Sequence, residues 1–282
     1  MSLKAALRRA INRSLEPMGF TFQRYFPEIQ SRSMESLTVQ ERQIRMFKQS
    51  MVDALSQFPE IVECLPQDRE IRDFISKLKA CKIQQDRGGG GFSSAILLWT
   101  LARAIYPDLV IESGVFRGFT TWVIRTACPQ ARQYAFDISF AERQRIENGV
   151  EYHEADWMSV PVAVPEDRAS LIYFDDHVDQ WRRIREAAGR GFRYLIFDDS
   201  LPSTALHNDG WAPVPTIDML YEDEIKDGET ITWRTECGQF DYRYDRHTAA
   251  ETRALVANHT HLPDLRFIFG YAPANMVLVV LK

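Results

Sequence analysis

The sequence predicts an α/β fold built on a mostly parallel sheet, and three observations predict it. Apolar, β-rich runs at Leu109-Val-Ile111, Leu171-Ile-Tyr-Phe174 and Tyr194-Leu-Ile-Phe197 alternate with segments of helical spacing. The runs lack the polar alternation of a half-exposed strand, as expected of strands covered on both faces. Each also leads into carboxylates, Glu112, Asp175-Asp176 and Asp198-Asp199, at the edge where open α/β sheets bind ligands.

A chain of 282 residues, 45% hydrophobic and 12% aromatic, can bury a large core, which suggests one full domain plus an appendage. Thirty-four basic against thirty-nine acidic residues give a formal charge of −5, so a global attraction to nucleic acid is not expected. Cys64, Cys81, Cys128 and Cys237 form no Cys-x-x-Cys pair. That argues against a zinc site or a dense disulfide framework and makes a reducing cytoplasm the simplest compartment. No stretch approaches the roughly 20 apolar residues of a membrane-spanning helix.

Taken in order, Leu3, Leu7, Ile11 and Leu15 recur every four residues among basic ones, the pattern of an amphipathic helix ending near Pro17-Met-Gly19. Packing against the main domain is its first expected role, and contact with a membrane surface or a partner the second. A secretory signal is not expected, because the basic start lacks an apolar core. Thr21 to Ser33 has no clear period. Helical spacing returns with Ile44, Phe47, Met51, Leu55 and Phe58 over Thr38–Phe58, and with Ile71, Phe74, Ile75 and Leu78 over Asp68–Cys81. Neither helix carries a nucleophile or clustered metal ligands, so a lid, a substrate wall or a contact between copies of the chain is expected. Residues 1–87 then form a helical extension and 88–282 the ligand-binding domain. The divide is Gly88 to Gly91, a flexible hinge or a mobile lip over the ligand. A helix beginning near Ser93 or Ser94 leads into the first strand.

The stretch Val110 to Trp122 organises that domain: a strand, a glycine turn, then a helix. Gly114 and Gly118 suit a sharp turn and close approach to a ligand, and the helix through Thr120 and Thr121 offers free N–H groups to a carboxylate. The spacing Glu-x-Gly-x-x-x-Gly-x-Thr departs from the dinucleotide fingerprint, with Phe116 at that fingerprint's second glycine, so a cofactor without a pyrophosphate fits better. The stretch resembles motif I of the class I S-adenosylmethionine-dependent methyltransferases, with Glu112, Gly114, Gly118 and Thr120 at the matching positions. The resemblance implies a Rossmann-like fold and S-adenosylmethionine as cofactor.

Gln133 to Phe136 make a second strand ending in Asp137, nineteen residues after Gly118, near the spacing that sets an acidic residue against ribose hydroxyls. Ala141 to Asn148 can form a helix and Glu151-Tyr-His153 a third strand. The resemblance places Asp156 near an adenine amino group, and Trp157 either stacks on that ring or simply packs. The fourth strand ends in Asp175-Asp176-His177, and the fifth, after a helix through Trp181 and Ile184, in Asp198-Asp199. Carboxylates gathered at one edge repel one another, which a divalent cation or a basic substrate would relieve.

Leu201 to Thr216 is long for a simple connection and reads as a substrate loop. In it His207 is either a base or a passive surface histidine. Met219–Lys226 and Thr248–Ala257 are helical candidates, and Thr230–Trp233 a strand candidate. Leu265–Tyr271 and Met276–Leu281 suit an antiparallel pair at the sheet's far edge. Like the methyltransferase sheet that the resemblance implies, the whole has seven strands, mostly parallel, with helices on both faces.

The tandem Asp pairs look like those of metal-assisted O-methyltransferases and of the group that includes macrocin O-methyltransferase and the cephalosporin hydroxylase accessory protein. That likeness implies Asp175, Asp198 and Asp199 as ligands of Mg2+. Those relatives place a histidine three residues after the first Asp, whereas Asp175 and His177 are two apart, so the ligand role stays open between Asp175 and Asp176. Metal-free transfer with His177 as general base therefore stays open beside the metal-assisted route. The expected function is O-methylation of a hydroxylated small molecule or sugar, by a chain that can form a homo-oligomer. A dinucleotide or nucleotide-sugar oxidoreductase and a non-catalytic module that keeps the cofactor pocket are the alternatives.

Overall fold

The computed structural model describes residues 36–83, 90–165, 168–235 and 237–282. The expected amphipathic helix at Leu3–Leu15, the aperiodic stretch to Ser33, and Gly88 and Gly89 lie outside the described residues. Among the described residues nine strands follow in chain order: β1 (Leu109–Ser113), β2 (Arg132–Asp137), β3 (Val150–Glu154), β4 (Ser170–Phe174), β5 (Tyr194–Phe197), β6 (Thr230–Thr235), β7 (Gly238–Arg243), β8 (Val256–His261) and β9 (Val277–Leu281). Seven of them form one sheet in the order β3-β2-β1-β4-β5-β9-β8, and β6 and β7 pair as a separate antiparallel hairpin. Within the large sheet β9 alone runs against its neighbours. This is a Rossmann-like arrangement, with the chain reversing its direction of travel across the sheet between β1 and β4.

The helices are α1 (Leu37–Ala54), α2 (Pro59–Val62), α3 (Asp68–Ala80), α4 (Phe92–Ile105), α5 (Phe119–Ala127), α6 (Gln180–Gly189), α7 (Arg246–Leu255) and α8 (Arg266–Phe269). Alternate strand residues enter opposite cores. Val110, Leu171 and Tyr173 pack with α1, α3, α4 and α5, while Leu109, Ile111, Ile172 and Phe174 pack with Trp157, Trp181 and Ile184 on the other face. Coverage on both faces is why these strands are apolar throughout. Helix α4 is buried along nearly its whole length because it lies under α1 to α3, which therefore share one core with the sheet. No described helix is long and apolar enough to cross a membrane. All four cysteines are free.

The structure departs from the sequence expectation in several elements. Ala141 to Asn148 forms turns and irregular chain in place of a helix, and Met219–Lys226 holds only a 3-10 turn at Asp218–Leu220. Gly91, not Ser93 or Ser94, is the N-cap of α4. Leu265 to Tyr271 is not a strand: its centre is the single helical turn α8, whose Phe269 packs on Phe47 and Phe92. On its outer side β9 pairs antiparallel with β8, whose first two residues, Val256 and Ala257, fall in the expected helix Thr248–Ala257. An edge strand buried on one side only can be as polar as Val256-Ala-Asn-His-Thr-His261, so its pattern hides it. The expected strand at Thr230–Trp233 exists, but outside the main sheet.

Candidate active site

Parallel register brings the strand ends together. Ser113 lies opposite Phe174, and Phe174 opposite Phe197. The ladder continues one residue further, with Asp175 N–H donating to the Ser113 carbonyl at 2.8 Å and Asp198 N–H to the Phe174 carbonyl at 2.9 Å. The acidic residues after β4 and β5 therefore share the crevice beside β1.

Asp175, His177 and Asp199 each offer a ligand atom, and those atoms all lie within 4.8 Å of one another. His177 and Asp199 reach this arrangement with φ of 52° and 55°, a left-handed conformation that costs a non-glycine residue roughly 1–3 kcal/mol and gathers at functional sites. Burial holds the Asp175 carboxyl well above the ordinary range, and the neighbouring Asp198 and Asp199 push it the same way. Asp199 is likewise raised by burial, then by Asp198 and Asp209. Two oxygen ligands and one imidazole, set among mutually repelling carboxylates, fit a divalent cation chemically. Asp198 is engaged differently. Its Oδ2 accepts from the Tyr173 hydroxyl at 2.9 Å, and its Oδ1 from the Asp199 N–H.

Asp176 faces away from this cluster. Its carboxylate accepts from the Ser113 hydroxyl at 2.5 Å and pairs at 2.8 Å with Arg183, a guanidinium only 2% exposed that also pairs with Asp156 at 2.8 Å. Burial tends to raise Asp156, but its bonds to Arg183 and to the Met158 N–H hold it below the ordinary carboxylate range. Arg183 thus ties the chain after β3 to the chain after β4. Trp157 is wholly buried, edge-on to Phe174 and Phe192, so it packs in the core.

In the first βα turn, Gly114 and Gly118 have φ of +97° and +82°. What crowds them is the chain itself: a Cβ would lie 2.1 Å from the Asp175 carbonyl oxygen at Gly114 and 2.8 Å from the Arg145 carbonyl oxygen at Gly118. Asp137 organises the same turn, its Oδ2 accepting the Val115 and Phe116 N–H groups at 2.8 Å each and its Oδ1 the Ser139 N–H at 3.1 Å. A carboxylate has about four acceptor positions, so one remains open. Glu112 is fully buried, with Oε1 accepting from the Thr120 hydroxyl at 2.5 Å and Oε2 without a hydrogen-bond partner. Burial pushes its carboxyl up to about 7 against the pull of the Thr120 and Thr121 hydroxyls.

A cavity of about 490 Å³ opens over the cluster, lined by Gly91 and Ser93 at the start of α4, by Asp175, His177 and Asp199, and by Trp211 among others. His207 sits on the exposed side of a 3-10 turn, Ser203–Asn208, and is not among the lining residues. The same loop contributes Trp211, and with it Asp209, which the charge pattern around the strand ends did not single out. Trp211 is 59% exposed, its carbonyl lies 3.1 Å from His177 Nδ1, and its ring packs edge-on against Phe240 of the β6–β7 hairpin. Gln180 was missed as well. Buried at the start of α6, it donates to the Asp198 carbonyl at 3.0 Å and accepts the Ile217 N–H at 2.7 Å, which pins the loop to the strand end. A lone glutamine in a helix carries no sequence signal for that role.

No protein-family model matches the chain, and no curated protein matches it. Among solved structures it is similar to the O-methyltransferase TomG from Streptomyces achromogenes in complex with SAM, at 12% identity over 84% of this chain and 98% of that one, with a TM-score of 0.42. It is similar to the O-methyltransferase from Bacillus cereus in complex with SAH, at 12% identity over 85% of this chain and 100% of that one, TM-score 0.42. It is also similar to the SAH-bound Podospora anserina methyltransferase PaMTH1, at 11% identity over 77% of this chain and 98% of that one, TM-score 0.43. Likeness of that degree assigns no activity or acceptor to this chain.

Proposed function

We propose that this chain is an S-adenosylmethionine-dependent methyltransferase that methylates a hydroxyl group of a small molecule or sugar with the help of a divalent cation. One observation carries the reading: the Asp175, His177 and Asp199 cluster opens into a cavity at the carboxyl ends of β4 and β5, directly beside the first βα turn. A methyl donor at the turn and an acceptor at the cluster would then share one edge of the sheet.

On this reading Glu112, Asp137 and the turn through Gly114 and Gly118 hold the cofactor, and Asp175, His177 and Asp199 hold the cation. The remaining acceptor position on Asp137 fits a ligand that brings hydrogen-bond donors. The side chain of Phe116 disfavours the close backbone approach that a pyrophosphate needs. When bound, S-adenosylmethionine supplies a methyl group on a sulfonium, and the cation supplies positive charge that makes an anionic acceptor oxygen less costly.

The chain's own groups do the remaining work. His177 Nδ1 donates to the Trp211 carbonyl, which leaves the Nε2 lone pair free to ligate. The loop from Leu201, clamped by Gln180, walls the cavity and orients the acceptor for in-line transfer.

Calorimetric titration with S-adenosylmethionine, S-adenosylhomocysteine and NAD, each with Mg2+ and with chelator, tests the reading. Binding of the adenosyl ligands without NAD is expected. NAD binding alone would establish an oxidoreductase pocket instead.

A further inference from the structure

Two histidines of the edge strand β8 grip the segment that anchors the cavity loop. His261 Nε2 lies 3.1 Å from Asp218 Oδ1, and His259 stacks on Tyr221 with ring centroids 3.8 Å apart. The segment Asp218–Glu222, held in this way, holds the start of the loop in turn. Asp218 Oδ2 accepts from the Ser200 hydroxyl at 2.6 Å, and Glu222 accepts from the Ser203 N–H at 2.7 Å and from the Ser203 hydroxyl. Leu201, next to Ser200, lines the cavity, as does Trp211 further along the loop. Ser200 is 2% exposed, whereas the His261 side chain is 53% exposed. An imidazole changes charge near neutrality, so the outer end of these contacts answers to pH while their inner end fixes a wall of the cavity. The charged or titratable groups that face His261 are Asp218, from the 3-10 turn, and His259, from its own strand; Val277, its partner on β9, is apolar. The bond to Asp218 raises the His261 pKa above its ordinary 6.5, against the effect of burial. Burial tends to raise Asp218, but its bonds to His261 and Ser200 hold it below the ordinary carboxylate range. Burial lowers His259, and the charges of His261 and Arg253 act the same way, so the pair that titrates is His261 with Asp218.

We infer that His261 is a proton-operated latch on the cavity wall. Protonated, it pairs with Asp218 and holds Ser200 and the first turn of the loop to the edge of the sheet. Neutral, it gives up the ionic part of that hold, and the start of the loop loosens. By linkage the contribution of the pair is complete below pH 6.5 and is lost as pH rises through the raised value of the folded chain. The latch does not depend on which cofactor or acceptor the cavity takes.

The test is hydrogen exchange followed by mass spectrometry on the full chain, from about pH 5.5 to about 8.5, with the intrinsic rate divided out. Peptides covering residues 201–216 are expected to lose protection at least about threefold as His261 titrates. His261→Gln should be as poorly protected at low pH as wild type is at high pH, with no step between. Asp218→Asn, which keeps an oxygen for the Ser200 hydroxyl, should lose the step as well. A wild-type profile without a step overturns the latch whether or not the variants fold. A step that survives in His261→Gln belongs to another histidine and overturns it too. Proton resonances of the imidazoles give a second reading: His261 should titrate above 6.5 in wild type and fall toward 6.5 in Asp218→Asn. Equal values in the two proteins overturn the pairing on which the latch rests.

Discussion

Gly114 meets Asp175 so closely that a Cβ on the glycine would lie 2.1 Å from the Asp175 carbonyl oxygen. The first glycine of the motif is thus a packing requirement between the ends of β1 and β4, and it sets where Asp175 can stand. Gly114→Ala must move one backbone or the other, and its φ of +97° adds strain. Destabilisation of at least about 2 kcal/mol is expected. A thermal melt at the wild-type temperature would show that the two strand ends separate freely.

Arg183 is the buried counter-charge for Asp156 and Asp176. Arg183→Met keeps much of the stem but leaves Asp176 buried and unpaired, at a cost of about 3–5 kcal/mol. Urea unfolding should show it, and Asp176→Asn in the same background should recover part of the loss. No recovery would mean that the arginine acts mainly through Glu186, its third carboxylate partner.

Glu112 links folding to pH. Its carboxyl stands at about 7 in the fold against an ordinary 4.5, so the folded chain binds more protons than the unfolded one between those values. Stability from this group is complete below pH 4.5 and is lost as pH rises through 7, by on the order of 3 kcal/mol. The difference in unfolding free energy between wild type and Glu112→Gln should fall by that amount over the window. A constant difference would place the carboxyl in its ordinary range.

The ligand geometry separates two neighbouring aspartates. Asp199→Asn removes a member of the three-residue cluster, whereas Asp198→Asn keeps an oxygen for the Tyr173 hydroxyl. In titrations with Mn2+ followed by electron paramagnetic resonance, the first should weaken binding well over tenfold and the second less. Equal losses would return Asp198 to the ligand set.

Asp137→Asn tests the turn. The carboxylate accepts three backbone N–H groups. Asparagine offers one oxygen and directs two donors at other donors, so a loss of about 1–3 kcal/mol in stability is expected together with weaker binding of S-adenosylhomocysteine. Unchanged stability with weakened binding would reduce Asp137 to a ligand contact.

What the sequence determined by itself is local and periodic. The central strands were legible because burial on both faces demands continuous apolar runs, and the first helices because Ile44, Phe47 and Met51, like Ile71, Phe74 and Leu78, repeat at 3.6 residues. Carboxylates at strand ends were legible because parallel strands present their carboxyl ends together. Tertiary structure decided what pairs with what. It set Asp176 on Arg183 and left Asp175 with His177 and Asp199, a division that adjacent identical residues cannot encode locally. It buried Trp157, took His207 out of the cavity and brought Trp211 in. It also made a strand of Val256–His261, whose polar sequence is tolerated because an edge has one wet face and a single partner in β9. Each of these outcomes depends on residues far apart in sequence competing for the same space or charge, and only the folded chain brings those competitors together.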